Sequence, residues 1–333
     1  MKEMLIENIG TSRVLIGSKI NLSDEIYGYD KILLLSDENV FPLYGERVIK
    51  ELSEKNKSIF KAVLNAGENS KSLEEAVKIV RILSENSFTR EDLLVTLGGG
   101  VVSDLGGFVS SIYKRGINLC HVPTTILGAV DASLGGKTGV NTDFGKNILG
   151  TFYNSLNTII DVDYFKTLPQ REVLCGKAEI LKYAFIGRAQ ILDFMESNDL
   201  KNTVINCVKT KKYFIERDMF DKKERMMLNF GHTVGHAIEK CSNYKISHGE
   251  AVSIGMATMS RDFGVSEIED ILKKYNWPVY YYSKCDELMN FIKLDKKRFG
   301  DIYSAVVPLK LGKCEIRKLS ERQILEILKR VNE

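Results

Sequence analysis

The sequence predicts an α/β domain of parallel βαβ units over residues 1–165, followed by a mainly α-helical domain over 166–333. Three observations carry that reading. Short apolar runs alternate with helix-period segments through the first half, and one of those runs ends in three consecutive glycines. From about 170 to 275 the periodicity is helical, with almost no strand signal. A length of 333 residues suits two domains. The boundary is expected within Asp161–Leu168, ahead of Pro169.

The elements follow in order. Lys31–Ser36 is an apolar run closed by Asp37, the pattern of a buried strand, and Val40–Lys55 has a helical period. Ser58–Leu64 is a second strand. Ser72–Asn86 is an amphipathic helix with Leu73, Ala76, Val77, Val80 and Leu83 along its expected apolar face. Leu93–Leu97 is a strand that runs into Gly98-Gly99-Gly100, Val101–Tyr113 continues as a helix, and Asn118–Val122 is a strand stopped by Pro123. Late in the chain Tyr303–Val307 and Cys314–Lys318 are short strands, and a helix begins at Ser320.

Composition narrows the class. With 27% charged and 44% apolar residues, the chain is an ordinary globular one rather than a disordered one. A net charge of +3 lacks the strongly basic footprint of a nucleic-acid binder. The six cysteines form no C-x-x-C pair and are too sparse for a disulfide framework, so reduced, mostly buried thiols in a cytoplasmic protein are expected. The opening MKEMLIENIG lacks the order of a signal peptide. The most apolar stretch, Leu93–Tyr113, contains Asp104 and five glycines, which suits a strand, a turn and a helix better than a membrane span.

The Gly98–Gly100 turn joins a strand to a helix start. Such a turn lets a pyrophosphate approach the free N–H groups of the helix, the mark of a dinucleotide-binding domain, although Ser103 stands where a third glycine is usual. A purely structural turn fits the same residues. Asp37, at a strand end, suits either a ribose hydroxyl or a turn cap.

Three of the four histidines fall between 232 and 248. Arg225, Asn229, His232 and His236 are spaced 4, 3 and 4 apart, so one continuous helix would place all four on one face. A solvated face would carry Lys and Glu, so this set points to a site. His232 and His236 suit an i, i+4 metal pair, but the H-E-x-x-H pattern is absent, and spacing alone leaves metal ligand and general acid/base open for each histidine. Gly135-Gly136-Lys137-Thr138 lacks the P-loop's earlier glycine, since Asp131 stands at that position. Lysines among glycines suit phosphate or carboxylate contact, or an exposed basic loop. Glu179 and Lys182 share a helix face within Lys177–Phe185, as a surface salt bridge or part of a site.

Taken in order, the runs GGGVVSDLGGF, KRGINLCHVPTTIL, VDASLGGKTGVN, FGKNILGTFY, KTLPQRE, GKAEILKY, RMMLNFGHTVGHAIE and HGEAVSIGM resemble the 3-dehydroquinate synthase family over nearly the whole chain. The resemblance implies NAD and a zinc or cobalt ion as cofactors. It implies a phosphorylated sugar acid, 3-deoxy-D-arabino-heptulosonate 7-phosphate, as substrate, and a homodimer with no nucleic-acid or membrane partner. It assigns Glu179, His232 and His248 to the metal and leaves His236 as a proton-transfer group, displacing the pairing of His232 with His236. Asp131, Lys137, Lys146, Asn147, Lys182, Lys211, Arg225, Asn229 and Lys296 fall at its substrate positions, and Arg115 corresponds to an arginine that serves the partner subunit. Asp37, Glu68, Lys71, Gly99, Gly100, Asp104, Thr124, Thr125, Thr167, Leu168 and Glu172 fall at its NAD positions, which Lys137 and Lys146 also border. Gly128 and the 242–247 stretch depart from the family pattern, and the chain is somewhat short in its C-terminal loops. The alternatives are a related sugar phosphate cyclase, such as 2-deoxy-scyllo-inosose synthase, and an NAD- and metal-dependent alcohol or glycerol dehydrogenase.

Overall fold

A computed structural model describes residues 4–293, 298–299 and 302–332. The chain divides into two compact units, Met1–Glu172 and Val173–Glu333.

Unit 1 is built on a seven-stranded sheet. Its strands are β1 (Leu5–Ile9), β2 (Ser12–Gly17), β3 (Lys31–Asp37), β4 (Ser58–Leu64), β5 (Leu93–Gly98), β6 (Asn118–Pro123) and, last in sequence, β9 (Asn157–Asp161). They lie in the order β1-β2-β9-β6-β5-β3-β4, and only the β1–β2 pairing is antiparallel. Central parallel strands are covered on both faces, so they read as continuous apolar runs. All six residues of β5 are buried, whereas β4 at the edge alternates. Helices α1 (Glu46–Ser53), α2 (Leu73–Glu85) and α3 (Gly100–Ile112) make the crossovers.

The chain moves outward from β3 to β4, then returns to place β5 on the other side of β3. That reversal opens a crevice at the carboxyl ends of β3 and β5, where α/β sheets bind ligands. Ser36 pairs with Leu97, so Asp37 and Gly98 adjoin there. The core above this layer joins Leu33, Leu35, Leu94, Val102, Leu105 and Val109 to Ala76, Ile79 and Leu83 of α2. The buried face of α2 therefore differs from the expected one. Ile79 replaces Leu73 and Val77, which are 41% and 52% exposed. Both short spacings satisfy a helical period, and only packing selects between them.

The glycine-rich lysine segment is a two-stranded hairpin, β7 (Lys137–Thr142) with β8 (Gly145–Phe152), rather than a loop. Its strand pattern is hidden in sequence because β8 is exposed along most of its length.

Helix α4 (Gln170–Ile186) carries the chain across the division at Glu172. Unit 2 continues with α5 (Ile191–Glu196), α6 (Leu200–Arg217), α7 (His232–Cys241), α8 (His248–Asp262), α9 (Ser266–Lys274) and α10 (Cys285–Lys293). An antiparallel sheet of β10 (Arg298–Phe299), β11 (Ile302–Lys310) and β12 (Lys313–Ser320) follows, and α11 (Glu321–Lys329) closes the chain. Two helices begin with reciprocal capping boxes, Ser247 with Glu250 on α8 and Ser320 with Gln323 on α11. No helix among the described residues is long and apolar enough to cross a membrane. All six cysteines are free thiols. Only Cys120 and Cys207 are buried and the other four are half-buried, more accessible than expected.

Candidate active site

The segment bearing Arg225, Asn229, His232 and His236 is not one helix. Residues Glu224–Asn229 form a 3-10 turn, Phe230 is extended, and Gly231 is left-handed at φ +78 before α7 begins at His232. The expected common face is therefore broken between Asn229 and His232. The cause is the crossing of α7 on α8. A Cβ on Gly231 would lie 2.5 Å from Met256 Cγ and 2.7 Å from the Val252 carbonyl oxygen, and a Cβ on Gly255 would collide with the Gly231 carbonyl. A third close approach occurs at Gly249, where a Cβ would stand 2.9 Å from Cys175 Cα on α4. Small residues at these contacts let α4, α7 and α8 converge.

That convergence brings Glu179, His232 and His248 together, with their ligand atoms within 4.8 Å of one another. Glu179 Oε1 lies 3.4 Å from His232 Nε2 and 3.2 Å from His248 Nε2. A tetrahedral ion with bonds of about 2.0–2.1 Å has ligand–ligand edges of about 3.3–3.4 Å, so the spacing fits a zinc-like ion. The hydrogen bonding fits as well. His232 Nδ1 lies 3.1 Å from the Phe230 carbonyl, which can only accept, so Nδ1 carries the proton and Nε2 presents its lone pair. His248 Nδ1 lies 3.4 Å from Glu239 Oε2, a carboxylate backing its ring. Glu250 is accounted for as the capping residue of α8.

The donor set is electrostatically tuned. Glu179 is fully buried. Burial alone would push its carboxyl up, but the Lys182 ammonium and the two imidazoles outweigh burial and hold it well below the usual range. Lys182, itself buried, pairs with Glu179 Oε2 one turn along α4, so their sequence spacing marks an interior pair rather than a surface one. Burial keeps His232 below its ordinary value. Burial opposes the charged form of His248 too, yet bonding to Glu179 and Glu239 wins and raises it to about 10.

His236 sits beside this set, its ring 5.2 Å from that of His232 and 6.1 Å from that of His248. His236, Glu239 and His248 form a second group of ligand geometry, sharing His248 with the first. Arg225 is buried and donates to the Met219 carbonyl at 2.6 Å. Asn229 donates to the Met226 carbonyl at 3.1 Å. Lys211 is buried on α6, one turn beyond Cys207, and Cys207 feels the charges of Lys182 and Glu179. Lys296 lies outside the described residues.

In unit 1 a second set gathers around the glycine turn. Gly99 caps α3 without a side-chain bond, and the first turn of α3 carries no acidic residue, which leaves its N–H groups to an anion. A Cβ on Gly99 would meet Thr125 Cγ2 at 3.1 Å, and Gly100 lies against Ala132. Thr124 Oγ1 is buried and makes no hydrogen bond among the described residues. Such an orphaned hydroxyl beside a backbone cradle fits a nucleotide. Buried Lys71 pairs with Asp104. Burial raises the Asp104 carboxyl, Lys71 opposes it, and the neighbouring charges of Glu68 and Asp131 add to the rise. Asp37 caps its own turn, Oδ1 accepting from Asn39 and Val40 at 2.9 and 3.0 Å.

Lys137 opens β7, and Lys146 and Asn147 lie on exposed β8. Arg115 is exposed in a left-handed turn at φ +63. Thr167 and Leu168 precede α4, and Glu172 lies in its first turn. Sequence reasoning missed Tyr44, whose hydroxyl reaches Thr167 Oγ1 at 2.5 Å from the turn after Asp37, and also Glu239. Tyr44 belongs to no spacing pattern. Glu239 follows His236 by three residues, a signal that could have found it.

Residues 61–175 match the N-terminal 3-dehydroquinate synthase family and residues 176–298 match its C-terminal counterpart. The chain belongs to the 3-dehydroquinate synthase family. The 3-dehydroquinate synthase of Clostridium acetobutylicum is 36% identical, covering 94% of this chain and 93% of the relative. That of Clostridium botulinum is 38% identical, covering 95% of this chain and 98% of the relative. Among solved structures, a 2-deoxy-scyllo-inosose synthase complexed with carbaglucose-6-phosphate, NAD+ and Co2+ has a TM-score of 0.88 at 22% identity, covering 99% of this chain and 100% of that one. The 2-epi-5-epi-valiolone synthase of Streptomyces hygroscopicus, with NAD+ and Zn2+ bound, has a TM-score of 0.86 at 24% identity, covering 99% and 98%. These two likenesses establish that the chain shares their fold. An NADH-dependent butanol dehydrogenase of Thermotoga maritima is more distant, with a TM-score of 0.67 at 15% identity, covering 100% of this chain and 99% of that one.

Proposed function

We propose that this chain performs its family's reaction, converting 3-deoxy-D-arabino-heptulosonate 7-phosphate to 3-dehydroquinate and inorganic phosphate, as an NAD- and metal-dependent phosphate-eliminating cyclase. The observation that carries the reading is the pairing of a metal-like donor set with a buried ammonium: Glu179 offers one oxygen to His232 and His248 and the other to Lys182. Glu179, His232 and His248 would hold the divalent ion, zinc or cobalt. Unit 1 would hold NAD, with the pyrophosphate at the Gly99–Gly100 helix start and the ribose and nicotinamide portions among Asp37, Glu68, Lys71, Asp104, Thr124, Thr125, Thr167, Leu168 and Glu172.

When bound, NAD supplies reversible hydride acceptance at carbon 5 of the substrate, and the divalent ion supplies Lewis acidity at its hydroxyl. The chain's own residues do the rest. His236 moves the hydroxyl proton. Lys182 steadies negative charge developing on the substrate oxygen. Lys137, Lys146 and Asn147 bind the phosphate that leaves once the neighbouring proton is acidified, and Asp131 also contacts the substrate. Arg225, Asn229 and Lys211, with Lys296, receive the carboxylate and ring hydroxyls. Oxidation and re-reduction cancel, so substrate and product share one oxidation level. Arg115 serves the site of a second copy, which makes the working form a homodimer, and its place is the cytoplasm.

The fate of the cofactor tests the reading. With trace enzyme and NAD in modest excess over enzyme, many phosphates should be released per NAD, with no lasting rise in NADH absorbance. Accumulation of free NADH in one-to-one proportion to product would convert the assignment to a dehydrogenase.

A further inference from the structure

The β7–β8 hairpin is irregular at one place. Between the pairs Val140–Leu149 and Thr142–Gly145, β7 contributes the single residue Asn141, while β8 contributes Lys146, Asn147 and Ile148. Such a bulge removes ladder bonds and re-aims the side chains it carries. Here it carries Lys146 and Asn147, the latter left-handed at φ +54. The missing ladder contact is replaced by a side chain, as the Asn147 N–H donates to Asn141 Oδ1 at 3.1 Å. The other half of the same amide donates from Nδ2 to Glu68 Oε1 at 2.8 Å. The Asn141 backbone N–H donates to the Lys71 carbonyl at 2.7 Å, and Asn141 bridges to Ser72 as a parallel partner.

The amide's orientation is not free. A backbone N–H demands an oxygen and a carboxylate demands an N–H, so Oδ1 and Nδ2 are fixed by their partners. Only an amide of this length meets both. Aspartate lacks the donor and sets a carboxylate against Glu68, alanine lacks both groups, and glutamine is one methylene too long.

We propose that Asn141 is a positioning residue that acts through Glu68 and through the Lys146–Asn147 bulge, locking the cofactor-side turn of Glu68 and Lys71 to the hairpin segment that meets substrate phosphate. The inference rests on the functional reading above and adds a residue which that reading leaves without a role.

The test compares wild type with Asn141→Ala, Asn141→Asp, Glu68→Gln and the Asn141→Asp/Glu68→Gln pair. Phe144→Ser, at a 90% exposed position of the same hairpin, is the control. Three quantities are read on each full-length protein: the thermal midpoint, the NAD dissociation constant by calorimetry, and kcat/KM for phosphate release at saturating NAD. Both Asn141 variants should lose roughly 10- to 100-fold in kcat/KM at an unchanged midpoint, the loss expected when a bond to a charged group or a held geometry goes. Asn141→Asp should also weaken NAD more than Asn141→Ala. In the double variant the introduced glutamine amide can donate to the introduced aspartate carboxylate. It should therefore recover much of what Asn141→Asp lost, a response a merely structural residue has no reason to give. Variants within twofold of wild type in NAD binding and kcat/KM would overturn the proposal. So would a double variant no better than Asn141→Asp, including the case where the midpoint falls along with activity. Wild-type protein that releases no phosphate from the heptulosonate phosphate would instead refute the functional reading, and NAD binding would still judge Asn141.

Discussion

Gly255→Ala should act as a ligand mutation although residue 255 touches no ligand. Inside a helix this change ordinarily stabilises by about 0.5–1 kcal/mol, because alanine loses less backbone entropy than glycine. Gly255 lies within α8, but its added Cβ would collide with the Gly231 carbonyl oxygen, and it would lie 2.9 Å from the Gly231 carbonyl carbon and 3.1 Å from Gly235 N. These are backbone atoms, so no rotamer relieves the contact. Carbon atoms settle at about 3.5–4.0 Å, so the start of α7 must retreat by roughly 1 Å. Overpacking of this kind costs about 1–3 kcal/mol, reversing the sign of the usual effect. It would lower the midpoint of a unit this size by about 2–4 °C per kcal/mol.

The displaced residue after Gly231 is His232, whose Nε2 stands 3.4 Å from Glu179 Oε1. Metal sites tolerate only about 0.2 Å of error, so zinc affinity should fall at least as far as the 10–100-fold seen when outer partners are lost. The assay is zinc competition with a chromophoric chelator, together with thermal unfolding. Gly264→Ala supplies the contrast. Its φ is +70 with nothing within 4 Å of the added Cβ, so it should cost about 1–2 kcal/mol with zinc binding intact. A Gly255→Ala protein that is as stable as wild type and binds zinc normally would refute the idea that close helix crossing assembles the site.

Further outcomes follow from the same geometry. His232→Ala should lose bound zinc, whereas His236→Ala should keep zinc and lose about 10²–10⁴-fold in rate; elemental analysis and kinetics separate them, and the reverse pattern would exchange their roles. Dialysis against a strong chelator should abolish turnover and zinc or cobalt should restore it, so full activity in a verified metal-free sample would end the metal assignment. Light scattering at assay concentration should report a dimer, and a fully active monomer would remove the role given to Arg115. His121 gives a pH signature. Burial lowers it from 6.5 to about 4, so between those values the unfolded chain takes up a proton that the folded one refuses. Its contribution is intact above pH 6.5 and is lost as pH falls toward 4, by about 3 kcal/mol in all. His121→Gln should flatten that part of the urea-unfolding stability curve, and an unchanged slope would contradict the burial argument.

What could be read in the sequence depended on whether a residue's surroundings were local. The strands β3 and β5 were legible because two-sided burial writes itself as an apolar run. The glycine turn was legible because the strand before it and the helix after it have opposite periods. Hairpin β7–β8 was not, since its apolar residues other than Val140, namely Phe144, Ile148, Leu149 and Phe152, are exposed. The four-residue polar stripe from Arg225 to His236 had correct spacing and the wrong backbone. Gly231 in a helical pattern reads as a small local cost, and only the neighbouring helix reveals that it must be left-handed. The metal set needed three separate segments, and no spacing rule joins Glu179 to His248 across the chain.

The fold by itself does not separate cyclisation from simple oxidation, because the same architecture occurs in a butanol dehydrogenase. The charge at Glu179 does separate them. Burying an ammonium is costly unless it is paired, and the buried Lys182 ammonium draws on the Glu179 carboxylate. A divalent ion on Glu179, His232 and His248 would draw on the same carboxylate, and even with the Glu239 carboxylate behind His248 the ion and the ammonium leave an excess of positive charge in a buried place. A hydroxyl substrate leaves that excess uncompensated, whereas a substrate bringing its own carboxylate and phosphate offsets it. Lys182→Met should therefore bind zinc at least as well as wild type, since a competing cation is gone, and yet lose turnover of the anionic substrate. If Lys182→Met instead lost zinc and kept activity with whatever metal remained, the ammonium would be a brace for Glu179 and the argument from charge would fail.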